Sequence, residues 1–447
     1  MIVTDENELK ELLESKRYKT LRERLIESEP AEIADLLASI PTDSEVIAFR
    51  LLPKDLAVEV FDHMDGAQQN ELLKSFSDAA ARNLLEAMPP DDRAELLDEI
   101  PAMVARRLLQ ILSPDQRRLT MQLLGYEEGT AGREMTPLFV DLNVDMTVEQ
   151  ALERVRRLAI NRETIYECYV MDRRRRLLGA VSLKDLVLAD RDAMVADIMS
   201  PSPPFVFTHS DREEAAREVR EHELLAIPVV DKEQRLVGII TQGDVADIVE
   251  QETTEDVYRF GAVPGTERSY FTSRIFSVVR GRLGWLLLLI LVNTATGTII
   301  AGREALLGEF IMLAAFIPLL IDAGGNLGAQ SATVVIRGLA TGEINPKRAA
   351  RIILREATAG ILLGLILGGA VLGWAYFLGR SIQIAATVCI TLVAISIASA
   401  SLGAGLPFIF RRFKVDPAFV SAPLITTVMD ILGILVYFFI AQYLLGV

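Results

Sequence analysis

The spacing of apolar positions changes character twice along the chain. Over residues 20–130, apolar pairs recur every twelve residues, at Leu36-Leu37, Ala48-Phe49, Val60-Phe61, Leu72-Leu73, Leu84-Leu85, Leu96-Leu97 and Leu108-Leu109. Pro41, Pro53, Pro89-Pro90, Pro101 and Pro114 fall between several pairs. The pattern predicts short helices of about two turns, each burying one pair and stacking into a small superhelix. From about residue 283 onward the pattern is different: five apolar stretches, roughly 283–302, 309–336, 352–379, 382–410 and 419–446, reach the ~20 residues a bilayer crossing needs.

Between these regions, residues 134–254 carry a second repeat. Met135-Thr136-Pro137 is echoed by Met199-Ser200-Pro201, Tyr169-Val170-Met171-Asp172 by Pro228-Val229-Val230-Asp231, and the run from Gly179 to Asp185 by the run from Gly238 to Asp244. Each copy reads helix, strand, charged turn, strand, helix. The pattern resembles a tandem pair of CBS domains. The resemblance implies a regulatory α/β module, with Ser182 and Asp185, and Thr241 and Asp244, placed to hold the ribose of an adenine nucleotide such as ATP. A pair that binds no ligand is the alternative. Glu167 and Lys184 stand where a nucleotide-binding member has other residues.

Charge sharpens the division. Of 61 acidic and 46 basic residues, 54 and 36 lie before residue 283, a net of −18, whereas the remainder is weakly basic. An acidic soluble half argues for cations, and against nucleic acid, as partners. Basic residues cluster before the first apolar stretch (Arg274, Arg280, Arg282), between the second and third (Lys347, Arg348, Arg351, Arg355) and between the fourth and fifth (Arg411, Arg412, Lys414). The alternate loops hold only Arg303 and Arg380. This asymmetry predicts a multi-pass protein of the inner (plasma) membrane with a cytoplasmic N-terminus and a C-terminus outside. The opening MIVTDENELK has neither a basic n-region nor an apolar core, so no signal peptide is expected. Cys168 and Cys389 fall in different halves and suggest neither a disulfide framework nor a metal site.

Carboxylates are costly at membrane depth and normally face a wet pathway or a partner. Asp322 and Asp430 sit inside apolar stretches. In the fifth stretch Ala422, Thr426 and Asp430 recur every four residues and share one small, polar helix face. Such a face suits a hydrated divalent cation, because Mg²⁺ sheds water reluctantly and is held by few carboxylates. A packing hydrogen bond from Asp430 is the plainer alternative. In the second stretch, Pro318 followed by Gly324, Gly325 and Gly328 predicts a distorted or closely packed helix, and Asn326 and Gln330 are spaced to hydrogen-bond across helices or to line a pore. On the soluble side, Asp91, Asp92, Glu95, Asp98 and Glu99 form one run, and Asp244, Asp247, Glu252, Glu255 and Asp256 crowd together just before the membrane half. Both could be ordinary solvated helix faces. Like charges this close also repel unless counter-ions intervene, which is a physical basis for sensing a cation. His63, His209 and His222 show no metal spacing, no nucleophile and base pair up, and no phosphate-binding P-loop is present, so an enzyme is not expected.

The whole order resembles the MgtE family of magnesium channels. The segments that carry the likeness are 89–101, 126–136, 324–344 and 416–430. The resemblance implies an acidic helical N-terminal domain (1–130), two CBS domains (131–197 and 198–254), a connecting helix (255–278) and a five-span pore domain (279–447). It further implies a homodimer in the lipid bilayer, with Asp430 as the pore carboxylate and Asp416 near the cytosolic mouth. Sensor acids map onto Asp91, Asp92, Glu95, Asp211, Glu213, Glu223, Asp244, Asp247, Glu252, Glu255 and Asp256, which several Mg²⁺ ions would bridge to close the pore. Ala422 stands where some members have Asn, and the acid at Asp322 is not part of the family pattern. An ion-coupled divalent cation exchanger using Asp322 and Asp430, and a membrane-anchored sensor that transports nothing, are the alternatives to a Mg²⁺ channel.

Overall fold

The computed structural model describes residues 6–15, 17–263, 275–413, 415–417 and 422–446. Two compact units divide the chain, the first ending its main run at Glu252 and the second beginning at Thr253. Arg274 and Lys414, used above for orientation, lie outside the described residues, as does the 264–274 part of the connecting segment.

The first unit opens with a run of short helices from Glu6–Glu14 to Pro114–Leu123, each eight to ten residues long. The twelve-residue period is one helix plus one turn. Leu37, Phe49, Phe61, Leu73, Leu85 and Leu97 are all buried in one continuous core, as are the first members Ala48, Val60, Leu72, Leu84 and Leu96. Prolines begin the helices where the sequence places them. Pro41, Pro53, Pro89 and Pro101 stand at N-caps, while Pro90 and Pro114 open their helices, where a missing N–H costs nothing.

Two small sheets follow. The first orders Val140–Asn143 (β1), Glu167–Met171 (β2), Leu177–Ser182 (β3) and Ser200–Pro201 (β4), with β1 parallel to β2 and the other pairs antiparallel. The second orders Val206–Phe207 (β5), Ala226–Val230 (β6) and Leu236–Thr241 (β7). The copies exchange their leading segments. Thr136 bridges to Ile239 of the second copy, and Ser200 and Pro201 pair with β3 of the first. Glycine makes room for both crossings. A Cβ on Gly238 would meet Met135 Sδ at 2.6 Å, and one on Gly179 would meet Met199 Sδ at 2.7 Å. A cut at 197/198 therefore separates the copies in sequence but not in space, because β4 lies beyond it and belongs to the first sheet.

The helix Gln242–Phe260 starts within the second copy and continues into the second unit, so the connecting helix expected at 255–278 is, up to Phe260, the end of a longer one. The residues from Ile275 already belong to the first membrane helix.

Five helices of the second unit are long and apolar enough to cross a bilayer: Val278–Ala301, Met312–Ala340, Pro346–Gly379, Ile382–Arg412 and Ala422–Leu445. These are the first to fifth spans below. Close backbone approach holds them together, as membrane helices lack a water-driven force between them. Gly360, Gly364 and Gly368 repeat every four residues on the third span; Cβ atoms there would meet Ser396 O at 2.6 Å, Val393 Cα at 2.7 Å and Cys389 O at 3.4 Å on the fourth. Gly403 faces Gly328 so closely that a Cβ would lie 2.2 Å from its carbonyl oxygen. The glycine-rich second span is thus a packing surface: Gly324 meets Ile395, Gly325 meets Thr426 and Gly328 meets Ile425.

Candidate ion-sensing and pore sites

The helix Pro90–Glu99 carries its acids on two faces. Leu96, Leu97, Ala94 and Pro90 are buried, and the same packing takes Asp91 down to 9% exposure. Asp91 Oδ1 has no hydrogen-bond partner among the described residues. Burial first, and Asp244 second, push its carboxyl up to about 8. Asp92 is pushed up to about 9, by burial and then by Asp91, Asp62, Asp244 and Glu163. Asp244 itself is raised by burial, although its carboxylate accepts from the N–H and hydroxyl of Thr241 at 2.6 and 2.9 Å. Burial also raises Glu163, Asp62 and Asp247. The helical repeat and both CBS copies thus converge a set of carboxylates that resist shedding their protons together.

Cations lie near, but they are spoken for. Arg93 is fully buried and donates to Thr120 Oγ1, Leu85 O and Gln116 Oε1, each at 2.8 Å. Arg212 serves the rim: it donates to Glu252 at 2.6 Å, Gln251 at 2.8 Å and Glu134 at 3.3 Å. Glu95, beside it, accepts from Gln251 at 3.0 Å and is raised by desolvation. Asp62, Arg93, Glu134, Glu163 and Arg212 escaped the sequence reading. Arg93 had a signal, since it stands three and four residues before the apolar pair Leu96-Leu97 and so shares its inward face.

A divalent ion fits this cluster through its water shell. Among the described residues no three acidic, His or Cys side chains are close enough to grip a bare metal ion. An orphaned, buried carboxylate oxygen beside two further carboxylates instead suits Mg²⁺, which keeps several waters.

Other expected sensor acids lie apart from this centre. Asp211 caps the helix Arg212–Glu221, accepting from Glu213 N at 2.8 Å. Glu223 is exposed in the left-handed conformation (φ 52°) just beyond that helix. Glu252 joins through Arg212. Glu255 and Asp256 fall in the second unit, where Glu255 pairs with Arg259. In the first CBS copy Ser182 and Asp185 hydrogen-bond each other at 2.6 Å, matching Thr241 and Asp244 in the second.

In the fifth span Ala422, Thr426 and Asp430 form a half-buried face, while Ile425, Met429 and Ile434 are buried. The Thr426 hydroxyl is satisfied by Ala422 O at 2.9 Å, and Asp430 Oδ1 is buried without a partner among the described residues. Asp322, Asn326 and Gln330 follow one another at four-residue steps along the second span, all exposed on the surface of the single chain. A third intramembrane carboxylate, Glu356 near the start of the third span, was missed in sequence; it accepts from Ser331 Oγ at 2.8 Å. Asp416 pairs with Arg259.

Sequence profiles of three families cover the chain in this same order: an MgtE intracellular N domain over 28–129, CBS domains over 133–192 and 195–251, and a divalent cation transporter domain over 317–440. The magnesium transporter MgtE of Thermus thermophilus is 39% identical over 440 residues, 98% of each chain. The chain belongs to the MgtE family. MgtE of Bacillus subtilis is 32% identical over 96% of this chain and 95% of its own length. Among solved structures, the cytosolic domain of the Mg²⁺ channel MgtE in complex with ATP aligns with a TM-score of 0.53 at 38% identity, covering 55% of this chain and all of that one. The soluble part of a magnesium transporter aligns with a TM-score of 0.51 at 28% identity, covering 55% of this chain and 97% of that one. MgtE proteins are transporters and not enzymes, and this member is a multi-pass membrane protein with a helical N-terminal domain and a CBS pair.

Proposed function

We infer that the chain is a Mg²⁺ channel that closes when Mg²⁺ is abundant on the side of its acidic domain. The observation that carries the gating is the buried Asp91 carboxylate, without a partner at Oδ1 among the described residues and raised by burial and by Asp244. Without a cation these groups are held together against their own charge or by protons. A hydrated Mg²⁺ between Asp91, Asp92 and Asp244 removes that cost and favours the compact arrangement of the helical repeat on the CBS pair. Glu95, Asp247 and Glu252 extend the acidic surface at the rim. Asp211, Glu213 and Glu223, and Glu255 and Asp256, are assigned to further ions at other surfaces.

Conduction is assigned to the Ala422, Thr426 and Asp430 face. A divalent ion moving inward gains about 4.6 kcal/mol per 100 mV of inside-negative potential, so no energy-coupling site is required. The exposed stripe of Asp322, Asn326 and Gln330 supports a homodimer: polar side chains facing lipid are costly, and a second copy would cover them and set two pore faces together. The basic loops support a cytoplasmic N-terminus and acidic domain and a C-terminus outside. ATP is held in the solved relative's cytosolic domain. In this chain the first copy's Ser182 and Asp185 keep the pattern for such a ligand, whereas Asp244 of the second is committed to the acidic cluster.

The test is Mg²⁺ flux through the purified full-length protein in liposomes. Uptake without a second ion in fixed proportion, abolished by Asp430→Ala and suppressed by Mg²⁺ on the domain side, is expected. Flux that survives Asp430→Ala overturns the pore assignment, and a fixed stoichiometry with protons or sodium makes the protein an exchanger.

A further inference from the structure

Arg259 stands one residue before the end of the helix Gln242–Phe260, the helix that carries Asp244, Asp247 and Glu252 nearer its start. Within the second unit its guanidinium is shared between two carboxylates: Nη2 meets Glu255 one turn earlier, and Nη1 meets Asp416. Both partners of the second pair are about one-third exposed (31% and 33%), so the contact sits in the zone where water and ions still reach. Neighbouring Phe260 packs against the apolar core of the membrane helices, which anchors this end of the helix.

Asp416 is equally well placed. The fourth span ends at Arg412, and the chain turns with Phe413 N and Val415 N bonded back to Phe410 O at 3.0 Å each. Asp416 follows that turn directly. The fifth span resumes at Ala422, eight residues before Asp430 and on the same helix face as it. Among the described residues, the other charged groups on this connection are Arg411 and Arg412, both exposed. Asp416 is therefore the described acid on the connection that leads into the Asp430 helix, and in this structure a cation already holds it. That cation is a side chain.

We propose that Arg259 is a tethered counter-ion of the pore mouth, occupying the Asp416 carboxylate in the closed protein and having to withdraw before a hydrated divalent ion can use it. A guanidinium and a hydrated Mg²⁺ compete for the same carboxylate oxygens, and a tethered cation at millimolar or higher effective concentration competes well with a free one. Because Arg259 rides on the helix that carries Asp244 near its start, the state of the acidic cluster has a covalent route to the mouth. The assignment rests on the gated-channel reading above and adds to it the residue that does the occluding.

Currents through the full-length protein in excised patches, with Mg²⁺ titrated on the cytosolic face, test this. Arg259→Gln is expected to raise the Mg²⁺ needed for half-closure by about five-fold or more, with Arg259→Lys staying near the wild type. Asp416→Asn is expected to weaken closure likewise. The exchanged pair, Arg259→Asp with Asp416→Arg, is expected to close better than either single change, a recovery that a merely structural loss would not show. A half-closing concentration for Arg259→Gln within about two-fold of wild type overturns the proposal.

A second measurement is independent of conduction. Arg259→Cys with Asp416→Cys, in a background where Cys168 and Cys389 are alanine, is treated with a short bifunctional thiol reagent and scored by remaining free thiols. Cross-linking in Mg²⁺ that falls in chelator supports the latch. Equal cross-linking in both conditions means a static pair and overturns it, as does no cross-linking in either. Should the wild type itself fail to close with Mg²⁺, the gating reading fails and this second measurement alone decides the latch.

Discussion

Thr241 and Asp244 close a small ring, with the hydroxyl and the N–H of Thr241 both donating to one carboxylate oxygen of Asp244, at 2.9 and 2.6 Å. The ring caps the start of the helix Gln242–Phe260 and also sets the carboxylate within electrostatic reach of Asp91 and Asp92. One side chain thus belongs to two patterns visible in the sequence, the CBS repeat and the acidic run, and only the fold reveals that they coincide.

Neutralising the centre of that cluster changes what a cation can do. Asp91→Asn removes a buried charge that no described residue hydrogen-bonds at Oδ1, so the compact first unit gains stability in chelator, on the order of 1–3 kcal/mol at pH above the carboxyl's raised range. Limited proteolysis of the full-length protein checks it: protection without Mg²⁺ rises, and the Mg²⁺-dependent increment shrinks.

pH acts on the same groups with a definite sign. Asp91 and Asp92 are raised to about 8 and about 9, above the ordinary carboxylate value of 3.8. Their contribution to the compact state is fully present below that ordinary value and is lost as pH rises through the raised values. In chelator, thermal stability of the first unit therefore falls between about pH 4 and pH 9, most steeply from about pH 5 to pH 7, and levels off as pH passes the raised values; with Mg²⁺ present the slope flattens. A thermal melt series with and without chelator reads this directly, and a stability that climbs with pH in chelator would count against the cluster.

Arg93 is a structural cation and not a free partner for the acids. Arg93→Met leaves Leu85 O and Gln116 without their donor and removes a buried positive charge beside Asp91 and Asp92. A loss of about 3–5 kcal/mol is expected, with Arg93→Lys recovering little because one ammonium cannot serve three separate acceptors in a planar fork. Denaturant unfolding of the full-length protein in detergent, followed by a probe in the helical domain, measures it.

Helix contact in the membrane unit depends on bare backbone. Gly403→Ala drives a methyl group into Gly328 O, a rigid backbone atom, and costs about 1–3 kcal/mol or more, seen as loss of monodisperse protein in detergent. Gly369→Ala, where nothing lies within 4 Å, is the control and is expected to be neutral.

Much of the architecture was legible because its signals are local. The twelve-residue period, the duplicated strand–turn–strand runs and the five apolar stretches each reflect a repeat of burial along a single element, and burial follows from periodicity alone. The four-residue recurrence of Ala422, Thr426 and Asp430 was readable for the same reason, as was the close packing of Gly324, Gly325 and Gly328. Glu356 escaped because one carboxylate near the start of a long apolar stretch barely lowers its average hydropathy.

The sequence by itself determined that this protein has an acidic soluble half, a duplicated α/β module and five membrane helices, since each depends on composition and spacing within a contiguous segment. Only the tertiary structure decided which acids meet. Asp62, the adjacent Asp91 and Asp92, Glu163 and Asp244 come from four separate segments, and their shared difficulty in ionising arises from desolvation and mutual repulsion across space. Asp211 and Asp91 look equally acidic in a string of letters; one ends up capping a helix in water and the other loses nearly all of its water.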